Sequence, residues 1–219
     1  MKTAIIFGSS GLIGNELFKT ILLNNSYDKI KVFVRSMPVI NNPKVEIIKT
    51  DFTNLEKHKD KIIGDDCYFC IGTTKKDTPD KDEYRRVEYD IPIEVAKITK
   101  ANSVNSFFYV SSIGANPNAS SNYLKNKGQV EEELKTLNFS KLAIIRPSLL
   151  VGNRKSFRLG EVIFTPIMNI LTLLAFGSLK KYKPIKIENV VKAITYISKN
   201  DLNEIVFESD ELEKIAKSN

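Results

Sequence analysis

The sequence contains few of the residues that build metal or redox sites. Its only cysteines, Cys67 and Cys70, form one C-x-x-C pair, and its only histidine is His58. No second C-x-x-C completes a zinc site. The pair lies in the apolar run DDCYFCIG, where residues three apart on a strand point to opposite faces. We therefore assign both cysteines to a buried strand, place His58 on a polar helix surface, and expect no metal site.

No apolar stretch is long enough to predict a membrane span. The longest, VIFTPIMNILTLLAF, is interrupted by Thr165, Pro166 and Asn169, and a span needs about 20 apolar residues. We expect this stretch to pack over a pocket or against a second subunit, so a homodimer or another protein partner stays open. Met1 leads into TAIIFG without the basic stretch and cleavage site of a secretory signal. The expected location is therefore the cytoplasm.

The positive charge of the chain is spread rather than clustered. Lys and Arg number 33 against 26 Asp and Glu, a formal net charge of +7, which by itself suggests nucleic acid or anionic lipid. However, lysines are mixed with acids, as in EEELKTLNFSK, without a Lys/Arg block or aromatic interleaving. We interpret most of the charge as solvated surface and expect no nucleic-acid partner.

Strand-like apolar runs alternate with longer helix-like segments. KTAIIF precedes the helical GLIGNELFKTILLNN, and the later strand-like runs are KIKVFV, KVEIIK, CYFCIG, SFFYVSS and LAIIRPSLLVG. This alternation predicts right-handed crossovers and a parallel sheet covered on both faces. The predicted class is doubly wound α/β in a single domain, 1–219, with a core at 1–150. The alternation weakens after Gly152, so we expect 151–219 to form a small substrate-side subdomain or lid.

A glycine-rich turn joins the first predicted strand to the first helix, with Gly8, Gly11 and Gly14 at G-x-x-G-x-x-G spacing. Such glycines allow a tight turn, close approach of the backbone to a pyrophosphate, and close packing of helix on strand. We prefer this binding role to a purely structural turn. The predicted dinucleotide contacts are Gly8, Ser9, Ser10, Gly11, Leu12, Ile13 and Gly14.

The residue after the second strand indicates which dinucleotide binds. The Asp or Glu that would bond the ribose hydroxyls of NAD is absent, and KVFVRSMP supplies Arg35 instead. An arginine there can neutralise the 2′-phosphate of NADP. We therefore favour NADP(H) over NAD(H), with the alternative that Arg35 only ends an exposed strand.

Two further stretches fit the same cofactor cradle. After the third strand, Asp51 can bond the adenine with Phe52 beside it, or can instead cap the next helix. After the fourth strand, Gly72 lets the backbone pass near the cofactor, and Thr73 and Thr74 can bond its ribose or phosphates. Ordinary turn residues would look the same.

A tyrosine and a lysine are placed for proton transfer. SSNYLKNKGQ puts Tyr123 four residues before Lys127, so the two side chains share one face of a helix. A carbonyl that accepts hydride needs a proton donor, and a Tyr with a pKa of about 10 in water needs a nearby cation. Lys127 can supply that cation. The alternative is a chance pair on a solvated face.

These motifs together resemble the short-chain dehydrogenase/reductase superfamily, in particular its atypical branch of Tat-interacting-protein-like reductases. The resemblance covers nearly the whole chain and rests on GSSGLIG, the arginine after the second strand, CIGTTKKD, YVSSIGA, SNYLKNKGQVEEEL and IRPSLLVGNR, in this order. It implies a Rossmann fold, NADP(H), and a catalytic constellation of Ser112, Tyr123 and Lys127. In that constellation Ser112 bonds the substrate oxygen, and Lys127 also holds the nicotinamide ribose.

The resemblance also implies roles for three further residues. Ser111 is the less favoured candidate for the catalytic serine and a predicted cofactor contact, and Arg146 and Pro147 match the family's Arg-Pro turn near the nicotinamide and substrate. Alternatively, Pro147 stops a strand and Arg146 pairs with an acid. The predicted function is an NADP(H)-dependent oxidoreductase that reduces a small carbonyl compound or oxidises the matching alcohol. The alternative is a non-catalytic NADP(H)-binding sensor that acts through a protein partner.

Overall fold

The computed structural model describes residues 2–152 and 177–218. The first elements are β1 (Thr3–Phe7), α1 (Leu12–Leu23), β2 (Lys29–Val34), β3 (Val45–Lys49), a 3₁₀ helix (Leu55–Lys61), β4 (Asp66–Phe69), α2 (Lys81–Arg85), a π-helical turn (Arg86–Asp90) and α3 (Ile91–Ala101). They are followed by β5 (Ser106–Val110), α4 (Asn122–Thr136), β6 (Lys141–Arg146), β7 (Leu150–Val151), a second 3₁₀ helix (Gly177–Tyr182), β8 (Ile185–Lys186), α5 (Ile187–Lys199), β9 (Val206–Glu208) and α6 (Ser209–Ser218). The apolar stretch 162–176 lies outside the described residues.

Seven strands form one sheet in the order β3-β2-β1-β4-β5-β6-β9. All neighbouring strands are parallel. The chain runs outward from β1 to β3, then returns and continues on the other side of β1 from β4. Such a reversal opens a crevice at the carboxyl ends of the two central strands, where ligands bind in this class of sheet. The predicted doubly wound α/β fold is confirmed.

The strands have continuous apolar sequences because both faces of the sheet are buried. In β1, Ala4 and Ile6 face one hydrophobic cluster, and Ile5 and Phe7 face the other. The first cluster is completed by α1, α5 and α6, and the second by the 3₁₀ helix, α3 and α4. Helices therefore cover both faces and leave the carboxyl edge of the sheet for the loops.

The described part of the C-terminal region joins the main sheet. β9 pairs with β6 at the edge, and Val190 and Ile194 of α5 enter the same cluster as Leu17 of α1. Of the strands that the structure describes, only β7 and β8 form a small sheet of their own. From Ile185 onward, the region expected at the substrate side thus also contributes to the core.

The cysteines follow the strand assignment only in part. Cys67 is buried in β4, but β4 ends at Phe69, so half-buried Cys70 lies in the following loop. Burial raises the pKa of the Cys70 thiol to about 12, so this thiol is protonated at neutral pH. His58 lies half-buried on the first 3₁₀ helix. Across 2–152 and 177–218 no group of three metal-ligating side chains occurs, and no helix is long and apolar enough to cross a membrane.

Gly128 lets α4 approach the loop after β5. A Cβ at Gly128 would lie 2.3 Å from the Asn116 carbonyl carbon and 2.4 Å from the Pro117 nitrogen. The Asn116 N–H also donates to the Leu124 carbonyl at 3.1 Å. This contact fixes the loop that carries the predicted catalytic serine against the helix that carries the tyrosine and lysine.

Gly128→Ala tests this packing. We expect it to lower the free energy of unfolding by about 1–3 kcal/mol or more, because the backbone must shift to admit the methyl group. Lys125→Ala, at an exposed position of α4, should change it by about 0.5 kcal/mol or less. Urea unfolding measures both values, and equal stability of the two variants would contradict the packing role.

Candidate active site

The glycine-rich turn lies at the carboxyl end of β1, where the strand order reverses. Gly8 has a φ of 87°, a conformation that favours glycine, and its carbonyl accepts the Gly11 N–H at 3.0 Å. Gly11 is the N-cap of α1 and supplies no side-chain cap. The N–H groups of the first turn of α1 are therefore available to an anion.

Packing requires two of the three glycines but not the third. A Cβ on Gly14 would lie 2.1 Å from the Gly8 carbonyl oxygen, and one on Gly8 would lie 2.6 Å from the Cys70 carbonyl carbon. A Cβ on Gly11 would meet the Gly8 oxygen at 3.4 Å, an ordinary van der Waals contact. The fold itself does not require a glycine at position 11, which favours a role toward a ligand.

The residues predicted at the adenosine end follow β2 and β3. Arg35 is exposed directly after β2. The exposed Asp51 carboxylate accepts the Thr53 N–H at 2.9 Å and the Thr53 hydroxyl at 2.7 Å, and these bonds lower its pKa. Asn54, not Asp51, caps the first 3₁₀ helix. Phe52 is buried, so only the Asp51 side chain of this pair faces solvent.

The loop after β4 is held by its own hydrogen bonds. The Thr73 N–H donates to Glu88 Oε1 at 2.6 Å, and the Thr73 hydroxyl lies 2.7 Å from that of Thr78. Thr74 is buried and its hydroxyl donates to Asp77 at 3.1 Å. Gly72 is exposed. Contacts of Gly72, Thr73 and Thr74 with a cofactor stay predictions.

Ser112, Tyr123 and Lys127 come together at the carboxyl end of β5. Lys127 Nζ lies 5.9 Å from the centroid of the Tyr123 ring. Burial raises the pKa of the Tyr123 hydroxyl above its ordinary value, although the charge of Lys127 and the nearby Ser112 hydroxyl act to lower it. The Ser112 hydroxyl donates its own hydrogen bond to the Ile113 carbonyl at 3.4 Å. The three side chains are thus close enough to influence one proton.

Lys127 carries a buried charge, with only 3% of the residue exposed. Its Nζ donates to the Val110 carbonyl at 3.2 Å and lies 3.2 Å from Glu88 Oε2. Desolvation lowers the pKa of Lys127, but the Glu88 charge and neighbouring tyrosines outweigh it and hold the pKa well above its ordinary value. The ammonium therefore stays charged beside Tyr123, as stabilisation of a tyrosinate requires.

Glu88 is a residue of this site that the motif analysis missed. It is buried in the π-helical turn between α2 and α3. A signal was present in the sequence, because Glu88 is spaced like a core residue relative to Tyr84, Ile91 and Val95, all of which are buried. An acid in a buried helical stripe requires a cation or hydrogen-bond donors.

Ser111 and Arg146 belong to a second buried cluster. The Ser111 hydroxyl and the Arg146 guanidinium both donate to the buried Glu131 carboxylate. Arg146 also pairs with Glu208 at 3.0 Å. Pro147 is buried directly after β6. Arg146 thus pairs with two acids, as the alternative interpretation of this residue expected. Contacts of Ser111, Arg146 and Pro147 with a cofactor stay predictions.

A family model described as NAD(P)H-binding matches residues 8–161. The matched range begins at Gly8 of the glycine turn and extends past Ser112, Tyr123 and Lys127. It therefore covers both the crevice and the three side chains at the end of β5.

Two curated relatives match across most of the chain. Protein FMP52, mitochondrial, from Debaryomyces hansenii is 32% identical over 208 residues, which cover 92% of this chain and 90% of the relative. Protein HTATIP2 from Rattus norvegicus is 33% identical over 166 residues, which cover 73% of this chain and 67% of the relative. The resemblance to the Tat-interacting-protein-like branch is confirmed.

Solved structures share the fold at low sequence identity. A UDP-N-acetylglucosamine 4-epimerase from Methanobrevibacter ruminantium M1 has a TM-score of 0.69 at 18% identity, covering 94% of this chain and 75% of its own. A short chain dehydrogenase from Burkholderia cenocepacia J2315 in complex with NADP has a TM-score of 0.68 at 15% identity, covering 99% and 92%. At these identities the likeness shows the fold alone.

The expected cytoplasmic location is wrong by comparison with the relatives. The Debaryomyces hansenii protein is named mitochondrial, as are relatives from Candida glabrata and Candida albicans. The expectation rested on the lack of a secretory signal. That lack carries no information about mitochondria, because mitochondrial transit peptides have a different composition from secretory signals.

Gly11→Val tests the glycine turn as a binding device. We expect at least about tenfold weaker NADPH binding in a folded protein, because the side chain would block the approach of the backbone to pyrophosphate. NADPH fluorescence titration measures the affinity, and circular dichroism checks the fold. Gly14→Ala is the contrasting variant, since its Cβ would lie 2.1 Å from the Gly8 oxygen and should disrupt folding. Undiminished binding by folded Gly11→Val would rule out this role.

Proposed function

The chain belongs to the NAD(P)H-binding family, and we propose that it is an NADP(H)-dependent oxidoreductase that reduces a small carbonyl compound or oxidises the matching alcohol. The observation that carries this proposal is the placement of Tyr123 beside the Lys127 ammonium and the Ser112 hydroxyl. These groups lie at the same edge of the sheet as the glycine turn. The names of the fungal relatives support a mitochondrial site of action.

The residues of the crevice fit such a cofactor. Position 11 has room for a side chain, yet the sequence has glycine there. The start of α1 offers uncapped N–H groups for a pyrophosphate. Exposed Arg35 lies at the end of β2, where the 2′-phosphate of NADP is recognised in this fold. When bound, NADP(H) supplies or accepts the hydride.

The chain's own residues move the proton. Tyr123 donates its hydroxyl proton to the carbonyl oxygen during reduction and takes it back during oxidation. Lys127 stabilises the tyrosinate that remains after donation. Ser112 donates a hydrogen bond to the same oxygen and stabilises its developing negative charge.

Cofactor preference is tested at Arg35. We expect NADPH to bind about one to two decades more tightly than NADH, because a charge-assisted hydrogen bond to the 2′-phosphate contributes about 1.5–3 kcal/mol. Arg35→Ala should remove this preference. Lys29→Ala removes an exposed cation from the opposite end of β2 and should leave it unchanged. Equal affinities in the wild type, measured by fluorescence titration, would contradict the assignment.

A second candidate function is a non-catalytic NADP(H)-binding regulator of a protein partner. The observation that favours it is the Lys127–Glu88 ion pair at 3.2 Å. The Glu88 charge raises the pKa of Tyr123 and so opposes the effect of Lys127. A tyrosine that ionises less readily is a weaker participant in proton transfer, whereas a regulator needs only the cofactor cradle.

Tyr123→Phe separates the two functions. The substitution removes only the hydroxyl, so NADPH affinity should stay within about twofold while turnover of an accepted carbonyl falls by about two to four decades. NADPH oxidation with a panel of carbonyl compounds measures turnover. Tyr89→Phe is the control, because the Tyr89 hydroxyl donates to Glu133 at 2.6 Å, outside the site. Full activity of Tyr123→Phe would exclude it as proton donor, and a panel without any substrate would favour the regulator.

A further inference from the structure

Glu88 connects two parts of the site that lie far apart in sequence. Its Oε1 accepts the Thr73 N–H at 2.6 Å in the loop after β4. Its Oε2 lies 3.2 Å from Lys127 Nζ on α4, with both side chains buried. We propose that Glu88 is a positioning residue that holds Lys127 and the loop after β4 in the arrangement that receives the cofactor. This inference rests on the proposed function, because it assigns Glu88 as a supporting residue of the site that performs it.

The π-helical turn gives Glu88 its position. Arg86–Asp90 forms this turn between α2 and α3, with Glu88 at its centre. A π turn adds a residue to the helical ladder, changes the direction of side chains, and frequently occurs at functional sites. Here the π-helical turn places the Glu88 carboxylate near the carboxyl ends of β4 and β5. From this position the one side chain contacts both the Thr73 N–H and the Lys127 ammonium.

Among the described residues, Glu88 is the group that supplies a negative charge next to Lys127. The other titratable groups whose charges act on or respond to Lys127 are Cys70 after β4, Tyr84 of α2, Tyr109 of β5 and Tyr123 of α4. Burial raises the pKa of each of these four groups, so they are neutral near neutral pH. Without Glu88, a buried lysine would favour its neutral form.

The ammonium can serve Glu88 and a cofactor together. An ammonium carries three N–H donors, and Lys127 uses one to bond the Val110 carbonyl. Glu88 compensates the charge, while a remaining donor is available to a ribose hydroxyl. Loss of Glu88 is therefore predicted to lower the pKa of Lys127. As the pH rises, Lys127 then loses its proton and with it a charge-assisted hydrogen bond to the cofactor.

The test is NADPH affinity between about pH 7 and about pH 9.5, a range below the ordinary lysine pKa. Glu88→Gln keeps an acceptor for the Thr73 N–H but removes the charge. Its affinity should fall by about tenfold or more across this range, because Lys127 is charged only below its lowered pKa. The wild type should stay nearly constant, as should Glu133→Gln, which removes a carboxylate of α4 that pairs with Lys97 at 3.1 Å.

Each other outcome decides against the role. Wild-type affinity of Glu88→Gln at every pH, or an equal loss that persists at about pH 5, where even a buried lysine regains its proton, would show that Glu88 does not keep Lys127 charged. The positioning role then falls while the proposed function stands. A wild type that binds no NADPH at any pH overturns the proposed function and the positioning role with it.

A stability cycle decides the case in which Glu88→Gln fails to fold. The double variant Glu88→Gln/Lys127→Met removes the unpaired lysine together with its partner. Thermal unfolding near pH 7 should show the double variant folded and more stable than Glu88→Gln alone. A double variant that is no more stable than Glu88→Gln overturns the inference, because the two residues would then not depend on each other.

Discussion

The parallel pairing of the seven strands is the constraint on which the rest of the structure depends. Because every strand runs in the same direction, each connection must return across a face of the sheet, and all carboxyl ends meet at one edge. Arg35, Asp51, the loop after β4, Ser112 and Arg146 each follow or end a strand at this edge. Residues scattered through the sequence therefore lie around a single crevice.

Two buried carboxylates organise the charges at this edge. Glu88 pairs with Lys127, and Glu131 binds Arg146 and Ser111. Burying an ion pair costs desolvation that its attraction only partly offsets, so such pairs contribute little net stability compared with apolar packing. Such pairs instead hold Lys127 and Arg146 in fixed positions at this edge of the sheet.

The glycine turn shows how fold and ligand requirements are divided within one short motif. Gly8 and Gly14 are enclosed by backbone atoms of the protein itself, whereas Gly11 has space for a Cβ. A motif that looks uniform in sequence thus contains two positions that packing restricts to glycine and one that it does not. The surrounding backbone distinguishes them: a Cβ on Gly8 would meet Cys70 and Ile71 after β4, and a Cβ on Gly14 would meet Gly8 itself.

The sequence by itself determined the features that depend on local periodicity and turn chemistry. The alternation of strands and helices predicted the doubly wound sheet, the glycine spacing placed the turn after β1, and the spacing of Tyr123 and Lys127 put both on one face of α4. Tertiary structure decided the partners. It ended β4 before Cys70, bonded Ser111 to Glu131, placed Ser112 near Tyr123, and paired Lys127 with Glu88. These outcomes depend on contacts between segments far apart in the chain, which no local pattern encodes, and the buried acid at position 88 acquires a role only when α4 brings a lysine to it.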